Sequence, residues 1–411
     1  MKIGLLREGK VPPDERVALT PEQCLEFMHR WPDVELVVQT SNVRRIQDSE
    51  YIEYGVEVVH DVSDCDILIG VKEVNIEDIV PGKTFLFFSH TYKQQPYNAK
   101  LLAALLEKKV SLIDYEMLRG ADGRRVIGFG RWAGIVGAYN GLRAWGLRDR
   151  CFELPRAIDC KDLKAMIAHA SSVAFPDGMK IVLTGFGRVG RGAAELLDAV
   201  GVRHVDKHDF LESEFEGGAI YAHLGLRDYN ERNDGGEFDR EAFKKDPSGF
   251  ESSFMKYAKA ADMFIAGHYY AEGSPYIITR EDLKDDELRL KVVADVSCDI
   301  DGPVACTIRP STVADPLYGY DPKSEKECAF DKVGGITVMA VDNLPCELPR
   351  DASKGFGIEM MKHVIPLLIE GDKDGVLKEA RETDLKGNLT KKYSYLKEYA
   401  ESGATELQTH I

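Results

Sequence analysis

No stretch of this chain reaches the ~20 apolar residues that a membrane-spanning helix needs; the longest candidate, residues 364–370 after Met360, is far shorter. The opening residues, MKIGLLREGK, lack an apolar core followed by a small-residue cleavage site. They read as a first strand and not a signal peptide, so a cytoplasmic protein is expected. Positive charge is in deficit, with 53 Lys and Arg against 69 Asp and Glu, a formal net charge of −16. Such a surface argues against nucleic acid and anionic membrane as partners. It leaves an anionic small molecule open, because a few local Arg and Lys side chains suffice to hold a carboxylate. CxxC is absent, and the His residues are not spaced as metal partners. The eight cysteines, at 24, 65, 151, 160, 298, 306, 328 and 346, read as buried thiols, and no metal is expected.

What is present is an ordinary globular composition, 44% hydrophobic and 30% charged over 411 residues, long enough for two domains. No fixed-period repeat is visible. The first 130 residues alternate short apolar runs with helical stretches. MKIGLLRE, 34–40, 56–60, 65–71, 84–90 and 110–115 read as strands; a helix opens at Thr20-Pro21 and another spans 98–109. Nearly continuous apolar strands of this kind belong to a parallel sheet covered on both faces. Residues 133–147 read as a long helix whose glycines suit close packing, and 151–172 as mostly helical. A second α/β unit begins at 179–183 and takes strands from 261–267, 290–297 and 335–342. The polar, Gly- and Asp-rich stretch 212–250 reads as an excursion from the sheet. The chain closes with a helix from Gly355 and a charged helical tail.

Gly185-Phe186-Gly187-Arg188-Val189-Gly190 follows the apolar strand IVLT and precedes a helical segment. In that context the GxGxxG spacing has a physical meaning. The first glycine makes a tight turn, the second lets backbone approach a pyrophosphate, and the third lets helix and strand pack closely. The helix N-terminus then faces the phosphates. The next strand, VRHV, ends at Asp206, where a carboxylate partner for the ribose 2′-hydroxyl is expected. That favours NAD, although Arg203, Lys207 and His208 stand close by and leave NADP possible.

Lys72 and His90 end apolar strands, where side chains of a parallel sheet line the ligand crevice. A lysine among apolar walls loses its proton near neutrality and a histidine titrates there naturally, so the two form a candidate acid–base pair. The bland alternatives are a sheet-edge lysine and a strand-terminal histidine bonded to backbone. Arg16, on the loop between first strand and first helix, is a candidate carboxylate anchor, or else pairs with its acidic neighbours Asp14 and Glu15. Lys93 is a second candidate anchor.

Together ERVALTP (15–21), SNVRRIQD (41–48), ILIGVKE (67–73), FFSHTYKQQ (87–95), LIDYEML (112–118), FGRWAG (129–134), ADVSCDIDGP (294–303) and VDNLPCELPRDAS (341–353) resemble the lysine-forming saccharopine dehydrogenases. These lie within the alanine dehydrogenase and transhydrogenase superfamily. FFSHTYKQ, LIDYE and FGRWAG are especially similar to the lysine–ketoglutarate reductase portion of bifunctional lysine-degrading enzymes, as a stand-alone first half. The resemblance implies an α/β fold of two Rossmann-like doubly wound domains with a cleft between them. Residues 1–132 plus 352–411 would form the substrate domain and 133–351 the dinucleotide domain. It implies Lys72 and His90 as the acid–base pair and Arg16 and Lys93 as carboxylate holders. Glu73 and Glu116 would be acidic neighbours tuning the lysine, Arg131 would lie at the cleft, and Asp299 near the nicotinamide ribose. The implied reaction joins the ε-amine of lysine to 2-oxoglutarate and reduces the imine with NAD(P)H. An alanine dehydrogenase shares ERVALTP, the lysine and the histidine, and another opine-type enzyme fits almost as well. A nucleotide-binding sensor without chemistry would not need Lys72, His90 and Arg16 together.

Overall fold

A computed structural model describes residues 1–212 and 215–408. Ser213 and Glu214, inside the stretch read as an excursion, and residues 409–411 at the end of the tail lie outside the described residues. The chain divides into two compact units, Met1–Phe129 with Pro349–Ile411, and Gly130–Leu348. Among the described residues no helix is long and apolar enough to cross a membrane.

The first unit is built on strands β1 (Lys2–Leu5), β2 (Glu35–Gln39), β3 (Glu57–Val59), β4 (Ile67–Ile69), β5 (Thr84–Phe87) and β6 (Ser111–Asp114). They form one parallel sheet in the order β3-β2-β1-β4-β5-β6. Ile3, Leu68, Phe85, Phe87 and Leu112 are buried, which is why these strands are apolar on both faces. Helices α1 (Pro21–Arg30), α2 (Asp48–Glu53) and α3 (Ala99–Glu107) connect them. At the start of α1 the Thr20 amide donates to the Gln23 side chain (2.9 Å), whose own amide donates to the Lys354 carbonyl (2.8 Å). The strand order reverses between β1 and β4, and a doubly wound sheet binds ligands outside the carboxyl ends of its strands at such a reversal.

The closing segment is helical from Pro349 to Ile369, in line with the helix expected from Gly355, and the charged tail beyond it is helical only in part. A helix from Pro349 to His363 returns Phe356 and Met360 to the core of this unit. After Ile365–Ile369, Gly371 and Gly375 take positive φ (113° and 73°) and the helix breaks. Residues 381–383 then lie along β6: the Glu382 amide donates to the Leu112 carbonyl, and the Leu112 amide to Thr383 Oγ1, both at 2.9 Å. A short helix, Val376–Ala380, precedes this segment, and a 3-10 helix, Lys391–Leu396, leads into the last helix, Lys397–Gln408.

The second unit opens with α4 (Gly130–Asp149) and α5 (Leu163–Ser171). The stretch 151–172 is less helical than its composition implies: besides α5 it holds one 3-10 turn, Ala157–Asp159. Pro155 has no amide to donate, and Phe152 folds against Gly146, where a Cβ would stand 2.5 Å from its ring. Then follow β7 (Lys180–Thr184), α6 (Arg188–Ala199), β8 (Arg203–His204), β9 (Ile220–Leu224), the hairpin β10 (Asn230–Arg232) and β11 (Phe250–Ser252), β12 (Met263–Ala266), β13 (Val292–Asp295), β14 (Leu317–Asp321), β15 (Lys326–Cys328) and β16 (Ile336–Met339). Apart from the hairpin they form a sheet ordered β15-β14-β16-β13-β12-β7-β9-β8, antiparallel only at β14 and β15. The stretch 212–250 is therefore not an excursion throughout. Its segment IYAHL enters the sheet as β9, parallel to β7 and between β7 and β8.

The glycines of α4 act as the sequence implies. A Cβ at Gly134 would stand 1.9 Å from the Val189 carbonyl oxygen, and one at Gly192 2.1 Å from that of Arg131, so α4 and α6 meet backbone to backbone. All eight cysteines are free thiols; Cys24, Cys65 and Cys306 are buried, whereas Cys151 is exposed.

Candidate active site

In the first unit, Lys72 follows β4 and His90 follows β5. The Phe88 amide donates to the Val71 carbonyl (3.0 Å), so the two chains leave the sheet side by side. Lys72 is partly buried. Burial, then the nearby charges of Arg16 and Lys10, lower its pKa from 10.5 to about 8. His90 adopts a left-handed backbone (φ 56°), unusual for a residue with a side chain, and presents Nδ1 to Glu73 Oε1 at 2.7 Å. Burial opposes ionisation of Glu73, yet the His90 hydrogen bond, His90 itself and Lys10 bring its pKa to about 2. Lys10 Nζ lies 3.0 Å from Glu73 Oε2. A carboxylate held ionised there accepts from Nδ1–H and leaves Nε2 of the ring for proton exchange.

Arg16 is buried with Asp14, both side chains 2% exposed. Its Nε and Nη2 donate to the two Asp14 oxygens at 2.9 and 2.6 Å, and the guanidinium lies 4.1 Å over the Phe129 ring. That edge of the fork is taken by the neighbouring acid, the alternative the sequence left open. Removing one member of such a buried pair typically costs about 3–5 kcal/mol. Lys93 and Arg125 both approach Glu116 Oε1, at 3.4 and 2.9 Å. Burial works against the Glu116 carboxylate, but Arg125 and Lys93 prevail and lower its pKa.

Three acids in this region carry no sequence signal. Glu8, after β1, also has positive φ (58°) and accepts from the amides of Val71 (2.5 Å) and Lys72 (3.0 Å). It thereby fixes the chain that bears Lys72 across the strand reversal. Burial raises its pKa from 4.5 to about 8. Asp114 and Glu382 hold the residues on either side of His90: Ser89 Oγ donates to Asp114, and Thr91 Oγ1 to Glu382 (2.6 Å). Burial raises both carboxyls.

In the second unit the glycine turn joins β7 to α6, at the point where the order of this sheet reverses. Gly185 has φ 95°, and a Cβ on it would stand 2.5 Å from the Gly267 carbonyl oxygen; at Gly190 it would stand 1.7 Å from that of Gly185. At Gly187 a Cβ would meet nothing within 4 Å. Two glycines are thus required by the fold, and the third leaves its outward face open to a ligand. Arg188 and Val189 begin α6, whose first amides have no partner within the helix. The set fits a dinucleotide pyrophosphate. His223, on β9, braces the turn through Nε2 and the Gly185 carbonyl (2.6 Å), and its ring lies tilted against that of Phe186, centroids 4.2 Å apart.

The other expected residues are dispersed. Asp206 follows the edge strand β8, with β9 between it and β7, and its carboxylate accepts from the His208 amide (2.8 Å). Arg131 makes a two-point pair with Glu195 at 2.7 and 2.5 Å on the α4–α6 surface. Asp299 is exposed on the loop after β13.

Residues 4–136 match the family model described as the alanine dehydrogenase/PNT N-terminal domain. The chain is 28% identical over 415 residues to the mitochondrial alpha-aminoadipic semialdehyde synthase of Mus musculus, covering 89% of this chain and 44% of that one. It is 26% identical to the Arabidopsis thaliana protein of that name, covering 100% of this chain and 42% of the relative. The chain therefore spans less than half the length of these two. With the Emericella nidulans saccharopine dehydrogenase (NAD(+), L-lysine-forming) it shares 25% identity over 89% of this chain and 92% of that one. Among solved structures, an L-alanine dehydrogenase superposes with TM-score 0.63 at 16% identity, over 98% and 100% of the two chains. A transhydrogenase from Sinorhizobium meliloti gives 0.59 at 15%, over 95% and 99%.

Proposed function

We infer that this relative of the saccharopine dehydrogenases, built on the alanine dehydrogenase and transhydrogenase fold, is a nicotinamide-dependent oxidoreductase. In this reading it joins the ε-amine of lysine to the ketone of 2-oxoglutarate and reduces the imine to saccharopine. The observation that carries it is the pairing, after adjacent strands β4 and β5, of an amine with pKa about 8 and an imidazole fixed by a carboxylate.

Addition of the amine to the ketone requires a proton to leave nitrogen and one to reach oxygen. Loss of water from the carbinolamine requires a second proton at that oxygen. Lys72 exchanges protons readily because its pKa lies near ambient pH. His90, anchored through Nδ1, takes the amine proton at Nε2 and returns it to the departing water. A nicotinamide cofactor held at the glycine turn would supply the hydride that the imine carbon requires. Glu73 and Glu116 hold the surrounding cations in place. Lys93, tethered only loosely to Glu116, is the cation assigned to a substrate carboxylate, and Arg16 adds positive charge beside Lys72. Gly185, Gly187, Arg188, Val189 and Gly190 hold the pyrophosphate. Arg131 is assigned to the substrate or cofactor cleft and Asp299 to the nicotinamide ribose.

The test is oxidation of NADH and NADPH by purified protein with 2-oxoglutarate or pyruvate crossed against lysine, ornithine and ammonia. Turnover confined to lysine with 2-oxoglutarate is the expected result. Turnover with pyruvate and ammonia would assign an alanine dehydrogenase activity and overturn the reading.

A further inference from the structure

In a nucleotide-binding α/β sheet, the 2′ position of the adenosine ribose is met by the strand beside the glycine-turn strand, at its carboxyl end. Here that neighbour is β9, not β8. Leu224 is in register with Thr184, and the Gly185 amide donates to the Leu224 carbonyl (2.9 Å). The chain leaving β9 therefore runs directly beside the turn, with Gly225 so close that a Cβ there would stand 2.9 Å from the Phe186 ring. β8 lies one strand further out and stops earlier: the Val205 amide donates to the Tyr221 carbonyl, three residues short of Leu224. In this register Asp206 is level with His223 and Leu183, which sets it roughly 10 Å to the side of β7 and roughly 7 Å short of Gly185.

At the end of β9 a glycine occupies the place where an NAD-binding strand carries its acid, and a cation follows. The nearest acid, Asp228, is turned inward with a side chain only 8% exposed: Oδ1 pairs with Lys207 and Oδ2 accepts from the Gly225 amide (2.7 Å). Both oxygens are engaged, so it has little to offer a ribose. Arg227 is exposed, and among the described residues its guanidinium makes no ion pair or hydrogen bond. A planar fork of donors suits phosphate far better than it suits a hydroxyl.

We propose that Arg227 reads the adenosine 2′ position and selects the 2′-phosphorylated nucleotide. The proposal rests on the nucleotide reading of the glycine turn and reassigns the role given to Asp206 from sequence. It is tested by calorimetric binding of adenosine 2′,5′-bisphosphate and of 5′-AMP to the full chain, with Arg227→Ala, Arg227→Lys and Asp206→Ala. The parent is expected to bind the bisphosphate more tightly. Arg227→Ala should weaken that binding roughly 10- to 100-fold, the worth of a charge-assisted hydrogen bond, while 5′-AMP binds as before. Arg227→Lys should restore part of the loss, and Asp206→Ala should change neither ligand. A ratio that moves with Asp206 and not with Arg227, or a parent that prefers 5′-AMP, overturns the assignment. A folded parent that binds neither ligand and no dinucleotide overturns the nucleotide reading beneath it.

Discussion

Burial of Lys72, the residue proposed for proton exchange, comes at a cost to stability. Its pKa falls from 10.5 to about 8 on folding, so between those values the unfolded chain binds the proton that the folded chain has released. Stability attributable to this residue is lowest below pH 8 and recovers as pH rises from 8 to 10.5. Lys72→Met should therefore be more stable than the parent at pH 7, by about 1–2 kcal/mol after discount for its partial exposure. The difference should shrink through that window while turnover is lost. Urea denaturation of both proteins at pH 7, 9 and 10.5 checks it, and a variant less stable than the parent at pH 7 would mean that Lys72 is not strained by burial. Lys72 and His90 were legible as residues because strand-end position and residue type suffice to single them out. Glu8 was not, since its role comes from β1 standing beside β4, and the two are 62 residues apart at Leu5 and Ile67. Asp114 and Glu382 were hidden for the same reason, being brought together by a return of the chain. For Arg16 the sequence left two readings open, and only packing against Asp14 and Phe129 chose between the geometries.

Among the elements, the glycine turn separates what the fold needs from what a ligand needs. Gly190→Ala would drive a methyl to 1.7 Å from the Gly185 carbonyl oxygen, whereas Gly187→Ala meets nothing within 4 Å. Gly190→Ala is thus expected to lower the melting temperature by several degrees, as a loss of about 2 kcal/mol or more does. Gly187→Ala should melt as the parent does and bind nicotinamide dinucleotide at least 10-fold more weakly, because its methyl stands in the path of the pyrophosphate. Thermal melts with nucleotide titrations check both, and unchanged nucleotide affinity in Gly187→Ala would remove this turn from the binding site. The spacing of this element was legible because strand, turn and helix are contiguous. Strand β9 was missed: IYAHL is only five residues, flanked by glycines in a polar stretch, and its place between β7 and β8 depends on pairings far apart in sequence. The helical expectation for 151–172 failed on Pro155 and on the ring of Phe152, and the tail is helical only in part because residues 381–383 pair with β6.

For the whole molecule, proton chemistry is assigned to the first unit and nucleotide binding to the second. The alternation of strands and helices made both parallel sheets legible, because strands covered on both faces are apolar throughout. The strand orders were not legible, and with them went the place of β9 beside the glycine turn. A reductive joining of an amine to an oxoacid moves one hydride onto the new carbon–nitrogen bond, and that hydride can be followed. The protein is supplied with lysine, 2-oxoglutarate and reduced nicotinamide dinucleotide deuterated at the transferable position, and the product is weighed by mass spectrometry. We expect a secondary amine containing both substrates and one deuterium on the carbon newly bonded to nitrogen, formed at least about 100-fold more slowly by His90→Ala although nucleotide binding is unchanged. Nucleotide consumed without a joined product, or a joined product without deuterium, would contradict the account.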